Sequence, residues 1–285
     1  MSELDAKCER CGRPLPALPS EGEVICVDCI DAIAKELKAE TERPSSSAGG
    51  VLVTVSAYAL GRSLGLERGA KELERQIHAP DRASIPAARC IGRLRHLCDL
   101  AVRADTGGTV LGQVRSRHAH EAWIRGADVW VSVDDDVEAT TSTLYNLLEA
   151  VRGATPRIVV APCVLRMGAG VVHVVNVEFP RILTPERVLA SGARLRPIVR
   201  AGFALVAMNR PALAAVRAVS EHLAFVDQDG DTKLGLFHQE IRERLWLTED
   251  FAFFSRVPPT VQVEALLTGC TSHAGQNLVL DDVQP

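Results

Sequence analysis

Val129-Trp130-Val131-Ser132-Val133 is an apolar run that ends in three consecutive carboxylates, Asp134, Asp135 and Asp136. It shows neither the alternation of a half-exposed strand nor the three-to-four spacing of an amphipathic helix. Its β-branched residues predict a strand buried on both faces. Such strands belong to sheets covered on both sides by helices, so this segment alone points to an α/β sandwich. Its acids then lie at the strand's C-terminal end. In open α/β sheets ligands bind outside those ends, where carboxylates can hold a divalent cation against a phosphorylated ligand.

The rest of the chain agrees with that architecture. Strands are expected at 51–55, 157–163, 171–177, 199–208 and 260–267, and helices at 65–77, 87–102, 113–126 and 140–151. Strands and helices in alternation predict a Rossmann-like, mixed but mostly parallel sheet flanked by helices. With 285 residues, 47% of them hydrophobic, the chain can build one main domain and a small appendage. The start is charged, and no segment has the roughly 18 uninterrupted apolar residues of a membrane helix. These features predict a soluble, cytoplasmic protein.

The appendage is at the front. Cys8-Glu9-Arg10-Cys11 and Cys26-Val27-Asp28-Cys29 are two CxxC knuckles joined by a short Pro-rich connection. Each knuckle presents two thiolates to one ion, which predicts a structural Zn²⁺ closed by four protein ligands. Residues 1–43 form this module. Residues 44–50, rich in Ser and Gly, form a linker, and 51–285 form the main domain. Residues 1–43 hold six basic against ten acidic side chains, a balance of −4 that equals the formal charge of the whole chain. An acidic surface repels phosphate backbones, so the module is expected to contact protein, with nucleic acid disfavoured.

Other features have ordinary explanations when taken singly. The arginines from Arg82 to Arg117 read as a solvated face or a phosphate-contacting surface. Asp227 to Asp231 resembles a calcium loop with misplaced glycine, and reads as a surface turn. Glu249-Asp250 opens a helix with Thr248 as its cap, where acids favour the dipole. Gly202 lies in a strand, where a side chain would obstruct a close ligand or backbone. His273 stands alone in a small-residue loop.

Their order along the chain resembles that of the nucleotide-sugar glycosyltransferases of the GT-A fold. The matching sequence is a buried strand ending in Asp-x-Asp, a glycine-bearing strand, a Glu-Asp helix and a C-terminal His-x-Gly, together spanning about Val51 to Asn277. The resemblance implies that Asp136 ligates an Mn²⁺ or Mg²⁺ bridging the donor diphosphate, with His273 completing its shell. Asp134 would contact the ribose or a metal-bound water. It also implies that Asp250, with Glu249 beside it, acts as base towards an acceptor hydroxyl in an inverting transfer. Arg115 would lie near the diphosphate, and Gly202 would let a sugar approach. Ser56-Ala57-Tyr58 departs from the Pro that many members carry after the first strand. Two alternatives stay open: a nucleotidyltransferase of similar fold, and a non-catalytic binding protein acting through its zinc module.

Overall fold

The computed structural model describes residues 50–57, 66–79, 82–105, 111–167, 172–182, 185–227, 230–242, 245–273, 276–280 and 283. The zinc module with Cys8, Cys11, Cys26 and Cys29 lies outside the described residues, as do linker residues 44–49 and the expected turn at 168–170.

The sheet has eight strands. Across it they run Leu100–Asp105, Val51–Ser56, Val129–Asp134, Leu205–Asn209, Arg157–Val160, Gln262–Leu266, Arg194–Pro197 and Arg187–Val188. Six point the same way, and Leu205–Asn209 and Arg194–Pro197 run against them. The expected mixed, mostly parallel sheet is what forms. Helices Leu66–His78, Pro86–Arg95 and Thr141–Val151 pack together on one face, and Leu111–Ile124, Arg210–Ala218 and Glu249–Arg256 on the other. Among the described residues no helix is long and apolar enough to cross a membrane.

The strand 129–134 behaves as its sequence demands. Every residue from Val129 to Val133 is buried, and full burial of such side chains contributes about 1.5 kcal/mol or more each. The one polar group this costs at Trp130 is satisfied, because its indole N–H donates to Thr54 Oγ1 at 2.8 Å. Register then fixes the edge that matters. Ser56 stands opposite both Asp105 and Asp134, so three parallel strands end level.

Two expectations need correction. The helix expected over 87–102 ends at Arg95, and Leu100–Asp105 is an edge strand. Half-buried Leu100, Val102 and Ala104 alternate with exposed Ala101 and Arg103, so pairing with Val51–Ser56 overrides the helical reading. The single strand expected over 199–208 is broken into Arg200–Ala201 and Leu205–Asn209. The backbone leaves the sheet at Gly202, whose N–H donates to Asn176 O at 2.8 Å.

The basic stretch does not form one surface: Arg82, Arg95 and Arg103 are exposed, as a solvated face requires, while the others are drawn into pairs. Arg89 and Arg93 both pair with Glu138, and Arg95 donates to Ile77 O. Arg115 is buried and Arg117 lies 3.9 Å from Asp227. Asp227 also pairs with Lys233 at 3.2 Å, and its backbone closes a turn with Gly230 and Asp231. That agrees with a surface turn.

Candidate active site

The C-terminal ends of the strands gather the residues singled out from sequence. Arg115, on the Leu111–Ile124 helix, is 1% exposed and is the centre of the arrangement. Its Nη2 donates to both carboxylate oxygens of Asp134, each at 2.9 Å. Its Nη1 donates to Asp250 Oδ1 and lies 3.7 Å from Glu249 Oε1. One planar cation therefore ties the end of the central strand to the first turn of a helix far along the chain. Behind it the Phe203 ring lies 5.7 Å from the guanidinium carbon.

That position has electrostatic consequences. Burial opposes the charge on Arg115, but Asp134 and then Asp250 outweigh it and hold the guanidinium firmly protonated. Burial pushes the Asp134 carboxyl up to about 7, against the pull of Arg115. Burial also raises Asp250, again opposed by Arg115. Two carboxyl groups held above their ordinary range by desolvation, with a fixed cation between them, can exchange protons with a bound ligand.

Asp250 has both oxygens engaged, since Oδ2 accepts the Phe203 N–H at 2.9 Å. Glu249 accepts from Gln239 Nε2 at 3.2 Å. Thr248 occupies the cap position of the Glu249–Arg256 helix without the expected side-chain cap bond. An aromatic cluster holds this helix in place: Phe203 meets Phe237 at 4.6 Å and Phe253 at 5.2 Å between ring centroids. Gly202 is closely approached, as expected, but by protein. A Cβ there would sit 3.1 Å from Asn176 Nδ2.

Asp135 is buried on the turn that follows the strand, where its N–H donates to Ser56 O and its carbonyl accepts from Ala87. The chain then enters a short strand, Val137–Ala139, which pairs antiparallel with Cys270–His273 so that His273 lies opposite Val137. This pairing delivers His273 to Asp136. His273 Nε2 lies 3.3 Å from Asp136 Oδ1, and Nδ1 lies 2.8 Å from Val164 O. A carbonyl only accepts, so Nδ1 carries the proton. Nε2 therefore faces the carboxylate with a lone pair unless a proton or a cation sits between them. The Asp136 hydrogen bond raises His273 to about 9, against burial.

The donor chemistry thus fits a hard divalent cation at Asp136 and His273, with the ring oriented by a backbone carbonyl as metal-binding imidazoles usually are. Asp134 instead has its oxygens turned to Arg115. Among the described residues no three His, Cys, Asp or Glu side chains form a ligand group, so two protein ligands would leave the remaining positions to a ligand or water.

Sequence reasoning identified the charged side chains but missed Phe203 N–H, Gln239 and the Val164 carbonyl. The first and last are backbone groups with no signature in residue type. Gln239 could have been suspected only from a fold that brings 239 beside 249. Comparison with protein-family models and with curated proteins returns no match.

Proposed function

We propose that the protein is a metal-dependent glycosyltransferase that moves a sugar from a nucleotide-sugar donor to an acceptor hydroxyl. The observation that supports this reading is the meeting of Asp136 with His273, and of Asp134 with Asp250 through Arg115, at the C-terminal edge of one sheet. Asp136 and His273 would hold Mn²⁺ or Mg²⁺. The cation neutralises charge on a departing diphosphate when bound. Arg115, committed to Asp134 and Asp250, would serve by holding those two carboxylates in place at the same edge.

Asp250 is the base in this reading. Its raised affinity for a proton suits removal of a hydroxyl proton as that oxygen attacks the sugar. Accepting the proton weakens its tie to Arg115, whose charge Asp134 and Glu249 continue to balance. The Phe203 N–H fixes the carboxyl's orientation throughout. The spacing of Cys8, Cys11, Cys26 and Cys29 supports a structural Zn²⁺ in a module that contacts protein, and elemental analysis that finds no zinc would remove it.

Turnover of nucleotide-sugar donors with and without Mn²⁺ tests the reading. Asp136→Asn should abolish metal-dependent donor binding. Asp250→Asn should spare donor binding and remove transfer. Absence of both turnover and donor-dependent thermal stabilisation, across common donors, would sink the proposal.

A further inference from the structure

We propose that a cavity at the opposite edge of the sheet binds a phosphate-class oxyanion. The cavity measures about 530 Å³, and its lining includes Trp123, Asp128, Arg152, Gly153, Asn209 and Arg210. It opens where the Val129–Asp134 strand begins, so the length of that strand, roughly 17 Å, separates it from Asp134. It shares no lining residue with the carboxylate site, and the inference is independent of the function proposed above.

Asn209 builds the wall. It is 2% exposed, and its Oδ1 accepts from the N–H groups of Ala212 at 3.1 Å and Arg157 at 3.0 Å. Its Nδ2 reaches the carbonyls of Val151 at 3.0 Å, Gly153 at 3.2 Å and Thr155 at 2.7 Å. One buried amide thereby pins the whole turn that carries Arg152. Gly153 adopts φ +99° with open space where a side chain would stand, which keeps the rim low beside Arg152.

Arg210 is placed just as firmly. Its backbone N–H donates to Asp128 O at 2.8 Å, Nη1 donates to Trp123 O at 3.2 Å, and the guanidinium carbon sits 4.2 Å from the Trp123 ring centroid. Most of the guanidinium's donors remain for a ligand. Neither Arg152 nor Arg210 forms an ion pair among the described residues. Asp128 is the cavity's one acid and is exposed.

The held guanidinium of Arg210, with exposed Arg152 beside it in the cavity lining, matches the several oxygens of a phosphate better than a single point charge would. The whole chain carries −4, so anion binding here would come from the local arrangement and not from a general positive field. The nearby helix terminus adds little, because Pro211 has no N–H and Asn209 takes that of Ala212. Trp123 is not a stacking surface either, being covered by Arg210 and, at 4.8 Å, by Arg217.

The test is a titration of the full chain with inorganic phosphate, and separately with glycerol 3-phosphate, in EDTA. Thermal unfolding and tryptophan emission are read together. A saturable rise in Tm is expected, kept in Asp136→Asn and weakened by about tenfold or more in Arg210→Gln and in Arg152→Gln. Arg210→Lys keeps the charge without the fork and should bind with intermediate strength, which separates loss of the ligand from loss of the fold. Trp123→Phe should remove the emission change and keep the Tm shift. Tighter binding of glycerol 3-phosphate would identify an esterified phosphate as the ligand, and equal binding the free ion. No saturable shift, a shift unchanged in both glutamine variants, or a shift lost in Asp136→Asn overturns the proposal.

Discussion

His273 Nε2 lies 3.3 Å from Asp136 Oδ1, and the Val164 carbonyl on the other side of the ring fixes which nitrogen carries the proton. A cation between the two displaces the proton they share and puts two favourable bonds in its place. Mn²⁺ should therefore raise the Tm of the wild-type chain. His273→Ala and Asp136→Asn should each reduce that rise sharply, since loss of a partner that merely orients a metal ligand already costs about ten- to a hundredfold in affinity. Differential scanning fluorimetry across a Mn²⁺ series measures it, and an undiminished shift in both variants would remove the cation from this pair.

Arg115 is the only cation between Asp134, Glu249 and Asp250 that the described ion pairs contain. Removing it leaves buried carboxylates without compensation, which typically costs about 3–5 kcal/mol. Arg115→Met should lower the urea midpoint accordingly. Arg115→Lys should recover little, because one ammonium cannot bond both oxygens of Asp134 and still reach Asp250. A lysine variant as stable as wild type would contradict the fork.

Gly112 lies within a helix, where Ala is normally favoured by about 1 kcal/mol. Here a Cβ would collide with the carbonyl oxygen of Phe237, on a segment whose N–H bonds Ser116 Oγ at 3.2 Å. Backbone cannot give way as a side chain would. Gly112→Ala should destabilise by about 1–3 kcal/mol, and chemical denaturation decides the sign.

His120 is buried, and burial first, then Arg217 and Lys233, lower its pKa to about 4 from an ordinary 6.5. Between those values the unfolded chain binds the proton and the folded chain does not. Stability from this group is thus whole above pH 6.5 and is lost as pH falls towards 4. Urea unfolding from pH 7 to 4 should show the decline, and His120→Gln should flatten it.

Much of this was legible in the sequence. The uninterrupted apolar run fixed Val129–Val133 as a covered strand, because no half-exposed element tolerates it, and the helix expected at 140–151 forms with Thr140 capping it through the Thr143 N–H. The charged residues of the site were legible because carboxylates at a strand end and a helix start are conspicuous. Their partnerships were not. Asp134 was expected to face a ribose or water and instead holds Arg115, since a buried guanidinium takes whatever acids surround it. The short strand Val137–Ala139, which brings His273 into place, has too few residues to show a period of its own. It exists because Cys270–His273 lies beside it, a pairing between segments far apart in the chain.

A guanidinium is a flat, rigid fork, and the one on Arg115 grips an acid at each end. Asp134 and Asp250 are therefore yoked and cannot shift independently. A ligand that draws on Asp134 tugs the opposite acid through the yoke, so occupancy on the strand side is felt on the helix side without a shared surface. In the proposed transfer, donor and acceptor would each change the other's affinity by the same factor, because coupling between two sites is reciprocal.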